Sequence, residues 1–232
     1  MQDYPNSYYI DSLDRNLIQH PSLLDSLECD LCIIGGGFTG LSTAIEASKK
    51  GLNVILLEQN KIAWGASGRN GGQIGIDISS GVQNLEKKYG FETVKNLWNV
   101  SLDAVKLIDQ RIDEFKIQCD KKTGNLSVAT NHSTVKDFES EIDYYQNKLD
   151  YHSTRILTRD EVSEAVGSNR YFGGHLQKDG GHLHPLKYAL GLADAALSMN
   201  VNIYEDSKVI KINEKKNYVE VLTSNGSVKA KN

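Results

Sequence analysis

The spacing of the apolar residues differs from one part of the chain to the next. The first part with a clear pattern is residues 29–58. Cys32–Ile34 is an apolar run without polar alternation, as in a parallel strand buried on both faces. The next segment places four small or apolar residues on one helical face: Leu41, Ala44, Ile45 and Ser48. Gly51 stands where a helix end favours a left-handed residue, and Val54–Leu57 is a second apolar run. The order predicts a βαβ unit.

Helical periods dominate the middle of the chain. They predict helices over 82–89, broken by Gly90, over 91–115 with one face buried throughout, and over 135–149. Short strands are predicted over 125–130 and 151–157, and Thr158 to Glu161 reads as a capping box opening a helix through Val166. We expect these helices to pack against a sheet, because two heptads are too few for a coiled coil.

The last fifty residues return to strands. Pro185 suits the first turn of a helix that runs to Asn200, and Val201–Tyr204 predicts a further parallel strand. A meander over 208–212, 218–222 and 228 onward follows, with a tight turn at 224–227 and an unpaired final edge.

Charge and composition exclude several classes of protein. The 232 residues include 26 Lys and Arg against 30 Asp and Glu, a net charge of -4, so no basic patch indicates nucleic-acid binding. No apolar run approaches the about 18–20 residues of a membrane span. The first thirty residues are too acidic for a signal peptide, which predicts a cytoplasmic protein. Residues 1–28 are interpreted as an arm packed on the body or as a partly disordered tail.

Two residue pairs have spacings that occur in redox or metal sites. Cys29 and Cys32 form C-x-x-C, but they enter a buried strand and no second pair lies at zinc spacing, which favours small core residues. His182 and His184 alternate in an extended segment, without a third ligand at an obvious spacing. Polar contacts are the favoured role for these histidines and for His175, and a place in the flavin or substrate pocket is the second alternative, so no metal is predicted.

A glycine motif lies inside the βαβ unit. Gly35, Gly37 and Gly40 have G-x-G-x-x-G spacing, which permits a tight turn, close approach of a pyrophosphate, and close helix packing. Glu58, 18 residues after Gly40, would accept hydrogen bonds from ribose hydroxyls and would repel a 2′-phosphate, so NADP is disfavoured. The motif itself fits both NAD and FAD.

The segment Trp64–Gln73, WGASGRNGGQ, follows this unit and supplies many backbone amides and side-chain donors. Together with IGGGFTGLSTAIEASKKGLNVILLE it resembles the D-amino acid oxidase-like family of FAD-dependent oxidoreductases, nearest the gamma-glutamylputrescine oxidoreductase branch. The resemblance implies FAD as cofactor. The cofactor-binding residues predicted from the motif and the resemblance are Gly35, Gly37, Phe38, Thr39, Gly40, Glu58, Gln59, Gly65, Ala66, Ser67, Arg69, Asn70, Gly71, Gly72, Gln73 and Val209.

The fold class that follows is α/β. The resemblance implies a Rossmann-like FAD-binding domain of the GR2 type with an inserted mixed α+β substrate domain, truncated at its C-terminus. The predicted parts are an arm (1–28), a first FAD-binding part (29–81), a substrate-domain part (82–180) and an incomplete return to the FAD-binding domain (181–232). The resemblance covers nearly all of this chain but about the amino-terminal half of a family member.

The implied function is oxidation of a carbon–nitrogen bond in an amine or amino acid, gamma-glutamylputrescine-like or sarcosine-like, with hydride transfer to the flavin. Arg69 is the one residue expected near the flavin ring, as a positioning group, with an equal alternative on the flavin phosphate. Two other hypotheses are an inactive nucleotide-binding fragment and an NAD-dependent dehydrogenase.

Overall fold

The structure is a computed structural model that describes residues 3–76, 78 and 81–231. The chain forms two compact units. Unit 1 consists of residues 1–71, 111–120 and 184–232, and unit 2 consists of residues 72–110 and 121–183.

Helices and strands alternate along most of the described chain. The helices are α1 (Tyr8–Asp11), α2 (Phe38–Lys49), α3 (Val82–Tyr89), α4 (Phe91–Glu114), α5 (His132–Leu149), α6 (Arg159–Val166) and α7 (Pro185–Ser198). The strands are β1 (Ser26–Cys29), β2 (Leu31–Ile34), β3 (Val54–Leu57), β4 (Gln73–Ile74), β5 (Lys122–Ala129), β6 (Thr154–Leu157), β7 (Gly173–His182), β8 (Asn202–Tyr204), β9 (Lys211–Glu214), β10 (Val219–Leu222) and β11 (Ser227–Ala230).

A parallel sheet of order β2-β3-β8 lies at the centre of unit 1. It confirms the predicted βαβ unit and the predicted parallel strand after α7. All of β3 is buried, and α2 packs on both β2 and β3 through Leu41, Ala44 and Ile45. Gly51 follows α2 at a φ of +79°, as the helix end predicts. The prediction that β2 is buried on both faces is wrong at Ile34, which is 51% exposed.

A second sheet of unit 1 has the order β1-β11-β10-β9. β11 pairs antiparallel with β10 and parallel with β1, so the prediction that the meander ends in an unpaired edge is wrong. The sequence missed β1 because it is a four-residue strand of mixed polarity. Its partner lies about two hundred residues away, with Ser26 opposite Ser227. The first meander strand begins at Lys211 and not at the predicted residue 208.

Unit 2 is built on an antiparallel sheet in which β7 is central. β7 pairs with β4, β5 and β6, and α5 packs on β5, β6 and β7. This confirms that the helix over 135–149 packs against a sheet. The capping box is also present, since Thr158 caps α6 and the Glu161 side chain returns to the Thr158 amide.

Two features of unit 2 differ from the prediction. Helix α4 has the predicted limits to within a residue, but its apolar face is interrupted at Leu97, which is 43% exposed. Strand β7 was not predicted, because four of its ten residues are glycine, a residue that is depleted in strands.

The amino-terminal arm belongs to unit 1 and is fixed by specific contacts. Arg15 forms a two-point ion pair with Asp194 at 2.6 and 3.1 Å, and Leu23 is 1% exposed. These contacts favour the packed arm over the disordered tail.

The boundaries between the two compact units lie at 71/72, 110/111, 120/121 and 183/184. The sequence predicts the boundaries between the FAD-binding parts and the substrate-domain part at 81/82 and 180/181. Within the described ranges, no helix is long and apolar enough to cross a bilayer.

Candidate functional site

The glycine turn joins β2 to α2 in unit 1. Gly35 has a φ of +107°, a conformation that disfavours other residues, and its amide donates to the Leu57 carbonyl at 2.8 Å. A Cβ on Gly40 would lie 1.9 Å from the Gly35 carbonyl oxygen. The third glycine of the motif therefore lets the first turn of α2 pack directly on the turn before it, as the spacing predicts.

Helix α2 begins after a glycine. Its N-cap residue, Gly37, makes no side-chain capping hydrogen bond. Among the described residues, the side-chain acceptor on this first turn is Ser67, whose Oγ accepts from the Phe38 amide at 3.1 Å. A Cβ on Gly37 would lie 2.8 Å from that oxygen. The amides of this first turn and the helix dipole are suited to an anion such as a pyrophosphate.

Glu58 lies beside the same turn. Its Oε2 accepts from the Gly36 amide at 2.7 Å, and its Oε1 accepts from the Asn60 amide at 2.8 Å. A carboxylate has about four acceptor positions, so each oxygen can still accept a ribose hydroxyl. The donors and acceptors therefore fit an adenine dinucleotide, with the pyrophosphate on the helix amides and a ribose on Glu58.

Gly36 was not singled out from the sequence, although the site depends on it. Its amide fixes the Glu58 carboxylate, and a Cβ on Gly36 would lie 2.5 Å from Ile62 Cδ1. The motif spacing does not include this position, so the pattern offered no signal for it.

A buried carboxylate supports the segment that follows Glu58. Glu205 is 2% exposed, and its Oε1 accepts from the Ile62 amide at 2.7 Å. Lys61 Nζ lies 3.3 Å from Glu205 and 3.0 Å from Asp206. The next residue, Ala63, donates its amide to the Gly36 carbonyl at 2.9 Å. Glu205 therefore ties the segment 60–63 to the glycine turn, a role that sequence reasoning missed.

The arm reaches the same segment through Tyr4. Its hydroxyl donates to the Ile62 carbonyl at 2.7 Å. Burial raises the pKa of Tyr4, and the negative charges of Glu205 and Glu58 raise it further, so this hydroxyl keeps its proton.

The predicted flavin loop begins with a 3-10 turn at Ala66–Gly68. The Asn70 side chain donates to the carbonyls of Ala66 and Ser67 at 3.1 and 3.0 Å, which closes the turn. Arg69 is exposed, with Nε 3.3 Å from the Gly65 carbonyl and its guanidinium 5.1 Å from the Trp64 ring centroid. The described contacts do not place Arg69 on the α2 end, so its role stays a prediction.

The other predicted residues are dispersed. Gln59, Gly65, Ala66 and Gly71 are exposed, and so is Thr39 in the first turn of α2. Gly72 and Gln73 belong to unit 2, where Gln73 in β4 pairs with His182. Val209 is half-buried against the core cluster around Leu23 and Val228, and its described contacts do not join it to the glycine turn.

The burial and hydrogen bonds of the cysteine and histidine pairs bear on whether either pair could form a redox or metal site. Cys29 is buried and Cys32 is half-buried, and burial raises the pKa of the two thiols to about 11 and about 12. His184 is the N-cap of α7, where Nδ1 accepts from the Lys187 amide at 3.1 Å. His182 is exposed. In the part of the chain that the structure describes, no group of three His, Cys, Asp or Glu side chains could hold a metal ion.

Comparison with known proteins adds to this geometry. A family model described as FAD dependent oxidoreductase matches residues 30–231. The chain is 39% identical over 228 residues to the probable oxidoreductase OrdL of Haemophilus influenzae, covering 98% of this chain and 52% of the relative. It is 36% identical over 234 residues to gamma-glutamylputrescine oxidoreductase of Escherichia coli, covering 100% and 54%. The chain thus spans about half the length of these relatives.

Solved structures agree on the fold. The L-amino acid deaminase of Proteus myxofaciens superposes with a TM-score of 0.77 at 21% identity, covering 94% of this chain and 47% of that one. Glycine oxidase of Geobacillus kaustophilus gives 0.75 at 20% identity, covering 88% and 54%. The predicted fold class is confirmed, and FAD is the cofactor of the matched family.

Proposed function

Since the chain belongs to the D-amino acid oxidase-like family of FAD-dependent oxidoreductases, whose model matches residues 30–231, we propose that it carries the FAD-binding part of an enzyme oxidising amines or amino acids. Bound FAD supplies the two-electron acceptor for such chemistry. The protein must hold the cofactor, orient it and exclude water from it.

The contact that carries the proposal joins Glu58 to the glycine turn. The Gly36 amide donates to Glu58 Oε2 at 2.7 Å, and Gly36 immediately precedes Gly37, the N-cap residue of α2. The carboxylate is therefore held beside the start of the helix. In our proposal the amides at that helix end hold the pyrophosphate, and Glu58 accepts the ribose hydroxyls. Ser67, already 3.1 Å from the Phe38 amide, would donate its hydroxyl proton to a phosphate oxygen.

The loop 64–73 would lie along the remainder of the flavin in this proposal. Its backbone amides provide donors, and Arg69 provides a cation. The Arg69 guanidinium is exposed and rests on Trp64, so it can reach a ligand at little desolvation cost. We assign it a positioning role near the flavin ring.

The proposed substrate is a primary or secondary amine. The support is the 36% identity to gamma-glutamylputrescine oxidoreductase across the chain, which makes a gamma-glutamylputrescine-like amine the first compound to test. Sarcosine-like N-methyl amino acids are the second class.

The test begins with the visible spectrum of the purified 232-residue chain before and after addition of FAD, with the released cofactor identified after denaturation. We expect a flavin spectrum and no bound NAD. A chain that binds NAD and no flavin would contradict the proposal in favour of a dehydrogenase.

Anaerobic bleaching of the bound flavin by an amine panel then tests the chemistry. Bleaching by one amine class supports amine oxidation by this chain. Stoichiometric flavin that no amine bleaches would support the second candidate, a non-catalytic flavin-binding chain, and would restrict the amine proposal to a longer protein.

A further inference from the structure

The tip of the amino-terminal arm, Asp3 and Tyr4, lies against the segment that follows Glu58. The Tyr4 hydroxyl donates to the Ile62 carbonyl at 2.7 Å, and the Trp64 indole Nε1 donates to the Asp3 carbonyl at 3.0 Å. The two hydrogen bonds join residues that are 58 and 61 positions apart in the chain. All of these residues belong to unit 1.

The Tyr4 hydroxyl bonds to one edge of a peptide group whose other edge bonds to the glycine turn. That peptide group joins Ile62 to Ala63. Its carbonyl accepts from Tyr4, and its N–H donates to the Gly36 carbonyl at 2.9 Å. The preceding amide, that of Ile62, donates to the buried Glu205 carboxylate at 2.7 Å. Because a peptide group is planar and rigid, fixing its carbonyl also fixes the N–H that reaches Gly36.

The glycine turn then holds the proposed ribose contact. The Gly36 amide donates to Glu58 Oε2 at 2.7 Å. Gly36 therefore accepts a hydrogen bond from the peptide group that Tyr4 fixes, and donates another to the carboxylate. A series of three hydrogen bonds thus links the Tyr4 hydroxyl to the position of Glu58.

The second hydrogen bond of the arm tip acts on the loop 64–73. It fixes the indole ring of Trp64, and the Arg69 guanidinium lies 5.1 Å from the centroid of that ring. Arg69 is the cation assigned to the flavin in the proposed function. The arm tip is therefore connected to both proposed cofactor contacts, the carboxylate and the cation.

From these contacts we infer that Tyr4 is a positioning residue for the cofactor, and that docking of the arm tip and binding of FAD stabilise each other. The inference rests on the proposed function, since it takes Glu58 as the ribose contact. A turn that is ordered before binding lowers the cost of binding, and coupling between two sites is reciprocal. The rest of the arm is held separately by the Arg15–Asp194 ion pair and by Leu23, so loss of the Tyr4 hydroxyl frees only the tip.

The affinity of the chain for FAD, measured by fluorescence titration, tests this role. Tyr4→Phe keeps the ring and removes the hydroxyl, and we expect it to weaken FAD binding by about two- to tenfold, the range of one net hydrogen bond. The matched control is Tyr8→Phe, at a 73% exposed position of the same arm, which should bind FAD as the wild type does. Wild-type affinity in folded Tyr4→Phe would overturn the inference. If that variant does not fold, unchanged affinity in folded Trp64→Phe, which lacks the indole N–H, would do so.

A double-mutant cycle separates positioning from a general loss of stability. In a Glu58→Gln background, Tyr4→Phe should change FAD affinity by less than about twofold, because the carboxylate that Tyr4 positions is no longer present. Additive losses of affinity in the two variants would mean that Tyr4 acts independently of Glu58, and would contradict the positioning role.

Hydrogen exchange of the FAD-free chain provides a measurement that does not depend on the cofactor. Tyr4→Phe should accelerate exchange of the Ala63 amide at least about threefold and leave the Leu56 amide in buried strand β3 unchanged. Equal acceleration at both amides would indicate general destabilisation and would overturn the inference. A wild-type chain that binds no FAD would overturn the proposed function together with this role, whereas equal FAD binding by the wild type and Tyr4→Phe would overturn the role of Tyr4 alone.

Discussion

The glycine turn of unit 1 and the glycine-containing strand β7 of unit 2 bring backbones equally close, with different consequences. A Cβ on Gly40 would lie 1.9 Å from the Gly35 oxygen, and a Cβ on Gly181 would lie 1.9 Å from the Lys122 oxygen. In unit 1 the close approach lies at the N-terminus of α2, whose N-cap residue makes no side-chain capping hydrogen bond. In unit 2 Gly181 is paired on both sides, opposite Ile74 and Thr123.

This difference separates a binding turn from a structural one. Glycine density alone does not indicate a ligand site, because both regions are rich in glycine. The two regions differ in whether their backbone amides are already paired within a sheet. Paired amides in β7 have no capacity left for a ligand, whereas amides at the start of α2 do.

The largest predicted effect is on the stability of unit 2. Gly181→Ala would put a Cβ against the Lys122 backbone at a φ of +133°, combining a steric clash with backbone strain. We expect a loss of about 2–6 kcal/mol in the free energy of unfolding, measured by urea denaturation with a signal from unit 2.

The matched control for that variant is Gly167→Ala. Gly167 has a φ of +68°, and a Cβ added there would have no neighbouring atom within 4 Å, so this variant isolates the strain. The cost there should be about 1–2 kcal/mol. Equal losses of unfolding free energy in the two variants would show that β7 accommodates the added Cβ. Steric contact would then not distinguish Gly181 from Gly167.

The two glycine regions also differ in how far the sequence predicts them. The turn was predicted because its spacing sits between an apolar strand and an amphipathic helix, and each local signal agrees with the others. Strand β7 was missed because Gly173, Gly174, Gly180 and Gly181 lower its strand propensity. Strand β7 needs glycine because neighbouring strands come close to it. At Gly174, for example, a Cβ would lie 2.9 Å from the Ser127 carbonyl oxygen.

The second prediction concerns binding in unit 1. Glu58→Gln keeps the shape of the side chain but turns one oxygen into a donor, which cannot accept from both the Gly36 and Asn60 amides. We expect FAD affinity to fall by about ten- to a hundredfold, or about 1.5–3 kcal/mol, with a smaller effect on folding.

Titration of FAD fluorescence measures this affinity. Glu214→Gln, at an exposed position in β9 of the same unit, serves as the charge-matched control and should bind FAD as the wild type does. If Glu58→Gln also bound FAD with wild-type affinity, the ribose would lie elsewhere and the assignment of the turn would need revision.

Glu58 and Glu205 show which parts of the site could be predicted from sequence. Glu58 ends a predicted strand at a fixed distance from the glycines, so its position follows from local order. Glu205 reaches the Ile62 amide from 143 residues away, a contact that depends on how β8 and its following loop pack. The pairing of β1 with β11 is of the same kind. Long-range packing of short polar segments leaves no periodic signal in the chain.

The smallest predicted effect is a pH dependence of helix α6, which tests a structural contact in unit 2. The backbone hydrogen bond from Thr158 to Glu161, at 2.8 Å, and the hydrogen bond from the Arg155 side chain together lower the pKa of Glu161 from 4.5 to about 2. Because the folded pKa is depressed, this stabilisation is present above the unfolded pKa of 4.5 and is lost as pH falls toward about 2. The α6 amides should therefore lose protection from hydrogen exchange as the pH falls across that window.

Two variants of α6 serve as controls. Glu161→Gln should abolish the pH response, and Glu164→Gln, at an exposed position of the same helix, should leave it intact. A Glu161 titration midpoint near the ordinary value of 4.5, measured by NMR, would mean that the capping box does not hold the carboxylate in solution.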